Sequence, residues 1–313
     1  MSLGDHSSRS TLAIATPIPE LTAEEFSLFQ GLILRESGIH LGAKNRAMLI
    51  SRLWRRLRAL ELNSFAAYFR RVKVDSEEMV RMLDCVCTNE THFFRELAAF
   101  ECLRQHVFPA WRRAADNAER GRTLRVWSAA CSTGEEPYSL AMTLVTEFPR
   151  EAGWNVEVLG TDLSTKVLAK ASKGVWPAEK LSGVPMHYQR QFFLKGFGPN
   201  KGKIKAGGEL RRIVRFQRLN LTKDPCEVSG PFDLIFCRNV LIYFQWETKL
   251  QVVNRLGRFL TLGGYLFLGH AESLHGVTDQ LESVTPKVFQ MPGALRRGAA
   301  LCILQRREDA LSR

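Results

Sequence analysis

Apolar positions in the first part of the chain recur at the three-to-four spacing of amphipathic helices. Thr22-Ala23-Glu24-Glu25 reads as a capping box, a hydroxyl at the N-cap and a glutamate three positions later. Phe26, Phe29, Ile33 and Leu34 follow on one face, and Gly38 supplies the left-handed cap that ends the helix. Residues 44–60 form a second helix with Met48, Leu49, Leu53, Leu57 and Leu60 on its apolar side, and helices are expected at about 64–73 and 75–87. After Gly121 the pattern changes. Short apolar runs at 125–131, 156–160, 213–221, 232–237 and 264–268 read as strands, with helices at 135–148, 164–173 and 246–260. Strands alternating with helices imply a parallel sheet with right-handed crossovers. Leu262-Gly263-Gly264 is expected to form a turn, and Val288–Met291 to pair with Ala300–Leu304 around Pro292-Gly293. Between residues 173 and 213 about 40 glycine-, aromatic- and base-rich residues break the alternation. They read as a small β insertion with strands near Gln191–Leu194 and Gly202–Lys205.

Composition narrows the class. Over 313 residues, 45% hydrophobic and 24% charged side chains exclude a mainly disordered chain. No apolar run reaches the roughly 18–20 residues of a membrane span, and the polar start lacks a signal core, so neither membrane insertion nor export is expected. The seven cysteines show no CxxC spacing. They are expected to be reduced cytoplasmic thiols used as small apolar residues, with no metal site. The net charge of +12 favours nucleic acid, an acidic membrane surface or an acidic protein as partner. Its location is more informative than its size. From Lys44 to Lys73 nine basic residues face a single acid, Glu61, and Arg52, Arg55, Arg56 and Arg58 lie around the polar side of the second helix. A merely solvated face would mix signs, so this one is read as a docking surface.

The first βα turn carries the chemistry. Ser128-Ala-Ala-Cys-Ser-Thr-Gly-Glu-Glu-Pro-Tyr138 is neither GxGxxG nor a P-loop. Its small residues let a ligand approach the backbone. Glu135 and Glu136 would repel a pyrophosphate and suit a cation, although acids at a helix start also simply favour the macrodipole. The next strand ends in Gly160-Thr161-Asp162, where a carboxylate can accept hydrogen bonds from both ribose hydroxyls. A positively charged nucleoside, S-adenosylmethionine, fits both features.

Six stretches together carry a resemblance: Thr88–Glu96 (TNETHFFRE), Arg125–Leu140, Gly160–Leu163, Leu219–Leu221, Phe232–Phe244 (FDLIFCRNVLIYF) and Gly263–Ser273 (GGYLFLGHAES). From about residue 20 to about 290 the sequence resembles the CheR family of chemotaxis receptor protein-glutamate O-methyltransferases. The resemblance implies a class I S-adenosylmethionine-dependent, Rossmann-like α/β domain with a small antiparallel β subdomain, preceded by an all-α domain. The corresponding boundaries are a tail at 1–18, helical domain 19–88, linker helix region 89–121 and methyltransferase domain 122–313 with its insertion at about 175–210. Cofactor roles carry over to Asn89, Thr91, Arg95, Asp162, Asn220, Leu221, Arg238 and Asn239, and to Glu136 ahead of Glu135. Arg95 and Tyr243 become the candidates for positioning the substrate carboxylate and the methyl group; His92 receives no role.

The implied reaction converts S-adenosylmethionine to S-adenosylhomocysteine while esterifying glutamates on methyl-accepting receptor helices. A glutamate with a pKa of about 4.3 is already ionised at neutral pH, so no general base is needed, and an arginine can grip it. His270 and His275 are therefore read as loop or core residues and Asp233 as structural. Lys195, Gly196 and Lys205 match the family segment that in some members binds a receptor C-terminal peptide, but lysine lacks arginine's fork. A cytoplasmic monomer recruited to receptor arrays is expected. Two rivals are weaker. A nucleic-acid methyltransferase would carry a proline-rich loop where Arg238–Tyr243 has none, and a non-catalytic module need not keep Arg95, Asp162, Asn239 and Tyr243.

Overall fold

The computed structural model describes residues 18–224, 227–272 and 280–293. The 1–18 tail (all but Ile18), Ala300–Leu304 and His275 lie outside them. The chain begins with α1 (Ala23–Ser37), α2 (Arg46–Ala59), α3 (Phe65–Val74) and α4 (Ser76–Val86). The Thr22 capping box is present, with Glu25 N–H donating to Thr22 Oγ1 at 3.1 Å and Thr22 N–H to Glu25 Oε2 at 2.8 Å. These helices close around Leu21, Phe29, Leu49, Leu53, Leu57, Phe65 and Tyr68. α5 (Leu97–Cys102) passes through a wide π turn, Leu103–Val107, into α6 (Phe108–Asp116).

The second part alternates as the pattern predicts: β1 (Thr123–Ala129), α7 (Glu135–Glu147), β2 (Asn155–Asp162), α8 (Thr165–Lys173). The insertion follows, with β3 (Val175–Pro177), α9 (Met186–Phe192), β4 (Phe193–Lys195), β5 (Lys203–Ala206) and α10 (Gly208–Ile213). β6 (Val214–Arg218), β7 (Phe232–Cys237), α11 (Trp246–Gly257), β8 (Leu260–Leu268), β9 (Glu282–Thr285) and β10 (Val288–Gln290) complete the chain. The large sheet has the order β6-β2-β1-β7-β8-β10-β9. Its first five strands are parallel, and β10 pairs antiparallel with β8 and β9. Strand order reverses at β1, which places a ligand crevice at its carboxyl end.

Three local expectations change. Leu262-Gly263-Gly264 is no turn: β8 continues through it as an irregularity, with Gly263 at φ 75° and a register shift against β7. β10 pairs antiparallel with β8 on one side and β9 on the other, while its expected partner Ala300–Leu304 lies outside the described residues. In the insertion, residues up to Phe192 are helical because Tyr188 and Phe192 lie one turn apart and both bury; the strand starts only at Phe193. β3 joins as a third strand, giving the order β3-β5-β4.

The helical part seats on the sheet through specific bonds. Asn220 Nδ2 donates to the Glu36 carbonyl at 2.7 Å, His40 N–H donates to the Tyr243 carbonyl at 2.9 Å, and Ile39 bridges Phe244. Gly38, at φ 73°, sits where a Cβ would lie 2.6 Å from Thr222 Cγ2, so close approach requires glycine.

The docking arginines need a correction. Arg56 Nε and Nη2 each donate to Glu78 at 2.6 Å, and Tyr68 OH donates to the same carboxylate at 2.9 Å. Glu78 is 1% exposed. Burial pushes its carboxyl up, but hydrogen bonds from Arg56 and Tyr68 outweigh that and hold it below the usual range. Arg56 is thus an internal counter-ion, unavailable to a partner. Arg52 is partly committed, to the Val86 carbonyl and to Thr88 Oγ1. Arg55 and Arg58 are exposed and have no ion-pair partner among the described residues. Arg56→Ala should cost about 3 kcal/mol in urea unfolding because it strands a buried carboxylate. Arg55→Ala should change stability by no more than about 0.5 kcal/mol. Equal losses from the two would remove the anchoring role of Arg56.

Candidate functional site

β1 ends at Ala129 and hands over to a loop in which Ala130, Ser132 and Gly134 all have positive φ, at 62°, 50° and 95°. Gly134 is required, since a Cβ would lie 2.9 Å from Ala171 Cβ. The loop is tied to the neighbouring strand by Cys131 N–H to the Thr161 carbonyl at 2.9 Å and Ser132 N–H to Asp162 Oδ2 at 2.8 Å. Ser164 N–H donates to Asp162 Oδ1 at 2.9 Å. Each oxygen of Asp162 thus has one backbone donor and retains capacity for a hydroxyl. Burial pushes the Asp162 carboxyl above its usual range, offset in part by the Ser164 and Ser132 amides.

Glu136 lies across the crevice on the first turn of α7. Ser128 Oγ donates to its Oε1 at 2.7 Å and Arg238 Nη1 to its Oε2 at 3.0 Å. Burial raises this carboxyl also, and Arg238 counteracts the rise. Arg238 follows β7, and its guanidinium is fully enclosed. Nη2 donates to the Arg95 carbonyl at 2.6 Å and to Glu96 Oε2 at 2.9 Å, so one cation is shared by two carboxylates and a carbonyl.

Glu96 has left-handed backbone at φ 56° and also accepts from Asn239 Nδ2 at 3.1 Å and from His270 N–H at 3.0 Å. Burial pushes its carboxyl up, but the bonds from Arg238 and Asn239 hold it below the usual range. Behind it, Glu272 is 3% exposed and gathers the N–H groups of Asn239, Val240, Leu241 and Gly269 at 2.7–2.9 Å. Neither Glu96 nor Glu272 was singled out from the sequence, although Glu96 ends its motif stretch and Glu272 stands next to last in its own. A glutamate closing a motif beside a strand end was the available signal.

The remaining candidates distribute as follows. The Asn89 carbonyl accepts from Ser132 Oγ at 2.9 Å, which puts the 89–96 loop over the β1 turn. Phe93 and Phe94 root that loop in the insertion, Phe93 against Trp176 and Phe193 and Phe94 stacked on Tyr188 at 5.4 Å. Among the described residues the Arg95 guanidinium makes one bond, from Nη1 to the Glu90 carbonyl at 3.1 Å. Asn220 and Leu221 follow β6, close to Asp162 because Leu219 N–H donates to its carbonyl at 2.9 Å; the Asn220 amide is engaged with Glu36 and Thr222. Tyr243 closes a short 3-10 turn, Leu241–Tyr243, after Asn239.

Lys195, Gly196 and Lys205 stand apart, on the small sheet. β4 is an edge strand, and register pairs Lys195 with Ile204 and Lys205 with Leu194, so the two lysines lie on opposite faces. Gly196 is obligatory, as a Cβ would lie 2.1 Å from the Asn200 carbonyl oxygen. Asp233 is structural, accepting from Arg120 at 3.0 Å and from Arg125 N–H at 2.8 Å. No group of metal-ligating side chains occurs among the described residues. No helix of the described residues is long and apolar enough to cross a membrane.

The donor set suits a cation. Partly buried Glu136 and buried Asp162 have raised pKa values, and the guanidinium nearest Glu136 is already shared with Glu96. A parallel sheet that reverses at β1, a small-residue turn after it and a carboxylate ending β2 define a class I S-adenosylmethionine-dependent methyltransferase. The chain belongs to the CheR methyltransferase family, whose SAM binding domain matches residues 89–289 and whose all-alpha domain matches 24–87. It is 39% identical over 269 residues to chemotaxis protein methyltransferase 2 of Pseudomonas aeruginosa, covering 86% of this chain and 93% of that one. It is 39% identical over 256 residues to the Escherichia coli chemotaxis protein methyltransferase (81% and 85%) and 32% identical over 273 residues to that of Borreliella burgdorferi (86% and 95%).

The two raised carboxyls predict a pH-dependent response to cofactor. An acid with a raised folded pKa contributes stability below its usual value, 4.5 for Glu136 and 3.8 for Asp162, and loses it as pH rises through the folded value. A bound cation offsets that loss. The thermal shift produced by S-adenosylmethionine should therefore be larger at about pH 7.5 than at about pH 5. Calorimetric scans at both pH values check this, and a pH-independent shift would remove the electrostatic role.

Proposed function

We propose that this methyltransferase esterifies glutamate side chains on the cytoplasmic helices of methyl-accepting chemotaxis receptors. The observation that carries the reading is Arg95. Its backbone is pinned through its carbonyl to Arg238, while among the described residues its guanidinium holds only the Glu90 carbonyl and remains able to grip a carboxylate beside the cofactor crevice. When bound, S-adenosylmethionine supplies a methyl group made electrophilic by its sulfonium. In our reading Asp162 accepts from the ribose hydroxyls and Glu136 faces the cationic end, with Asn89, Thr91, Asn220, Leu221 and Asn239 completing the contacts. Arg238 acts through its partners, orienting Glu136 and the Arg95 peptide. Arg95 and Tyr243 would position the substrate carboxylate toward the methyl group. Because the nucleophile is already ionised, orientation and exclusion of water do the catalytic work. The acidic receptor surface meets Arg55 and Arg58, with Arg52 beside them. The free β4 edge near Lys195 and Gly196, with Lys205 on the adjacent strand, offers a place for a receptor C-terminal peptide.

Two measurements test the reading. Arg95→Ala should lower radiolabel transfer to receptor by about a hundredfold or more, with no transfer to RNA by the unmutated protein. An unmutated protein inert toward receptor would overturn it. The double reversal Arg55→Glu/Arg58→Glu should lower receptor methylation about tenfold through slower association, leaving cofactor affinity unchanged; unaltered methylation would remove the docking surface.

A further inference from the structure

Lys180 lies in the insertion, in the 3-10 segment Ala178–Gly183 between β3 and α9. Its ammonium crosses to the methyltransferase core. Nζ donates to the Thr91 carbonyl at 2.7 Å and stands 3.1 Å from Glu135 Oε1. Glu135 is 0% exposed, and its other oxygen accepts from Thr133 Oγ1 at 2.6 Å. Glu136 meets Ser128 and Arg238 on the crevice side. Adjacent glutamates on one helical turn thus have different partners and different surroundings. The same insertion also holds Phe93 between Trp176 and Phe193, two residues beyond Thr91, and Trp176 Nε1 donates to the Thr133 carbonyl at 3.0 Å.

We propose that Lys180 is a positioning residue for the cofactor: it neutralises Glu135 inside the fold and straps the Thr91 peptide over the crevice, leaving Glu136 as the carboxylate presented to the cationic cofactor. The inference rests on the proposed methyltransferase reading and assigns the insertion a second task beyond any peptide it binds. Without the ammonium, Glu135 would be a lone buried charge, and the loop from Asn89 to Arg95 would lose its bond to the insertion at Thr91.

The test uses the full chain, receptor fragment and S-adenosylmethionine. Lys180→Met keeps the aliphatic stem and removes the charge. It should raise KM for S-adenosylmethionine about tenfold while kcat stays within about twofold, and should lower Tm. Lys180→Arg should return KM to within about threefold of the unmutated value. Adding Glu135→Gln to Lys180→Met should restore Tm, because the lone charge is gone, and leave KM raised, because the Thr91 strap is still missing. That double variant also keeps the test readable if Lys180→Met fails to fold. An unchanged KM in Lys180→Met, or recovery of KM together with Tm in the double variant, overturns the proposal. Calorimetry on the unmutated protein separates the two levels: absence of S-adenosylmethionine binding there sinks the parent reading.

Discussion

One buried guanidinium holds the crevice together. Arg238 reaches Glu136 on α7, Glu96 on the incoming loop and the carbonyl of Arg95. With Arg238 itself, these groups bring together three separate parts of the chain, and a carboxylate cannot stay ionised in an apolar interior without such a partner. Arginine is the side chain for this task because its planar fork offers several donors in fixed directions and its charge is not lost. A lysine there would supply the charge from a single nitrogen, without the two fixed nitrogens that separately meet Glu136 and the Glu96–Arg95 pair. The position of Arg95 is thereby derived from β7, a central strand of the large sheet, although Arg95 itself sits in a loop.

A second anchor fixes the opposite wall. Glu272 collects four backbone N–H groups around the residues after β7, which carry Asn239 and lead to Tyr243. Those amides would otherwise be unsatisfied where the strand ends and the chain turns sharply, with Asn239 in the left-handed region at φ 59°. Asparagine tolerates that conformation, and its side chain reaches back to Glu96. The two glutamates therefore bracket the loop that carries Asn239 and Tyr243.

Much of this was legible in the chain and some could not be. The β1, β2 and β7 runs announce themselves by apolar composition, and Asp162 and the Glu135/Glu136 pair follow from their places at element ends, the preference for Glu136 coming from the family resemblance. Thr22 and Gly38 mark a helix through local chemistry alone. The partners of Arg56 and Arg238 were hidden because the deciding contacts are remote: Glu78 is 22 residues from Arg56, and Glu96 is 142 from Arg238. A charge count from Lys44 to Lys73 treats every arginine as free, whereas Glu78, just past that window, captures one of them inside the fold. The strand expected from Gln191 starts only at Phe193 because Phe192, which reads as part of the apolar run Phe192-Phe193-Leu194, closes α9 one turn after Tyr188.

The arrangement also explains why a transferase can work without an acid–base pair. A carboxylate nucleophile is stable in water, so the site must do two opposed things: strip its hydration and still attract it. On the proposed reading, the acidic crevice around the cofactor would repel a glutamate, which leaves Arg95 as the local attraction. An acidic substrate is then admitted only where an arginine stands at the edge of an acidic pocket, and only once a cationic cofactor has offset Glu136 and Asp162. Cofactor first and carboxylate second is the binding order that this distribution of charge favours.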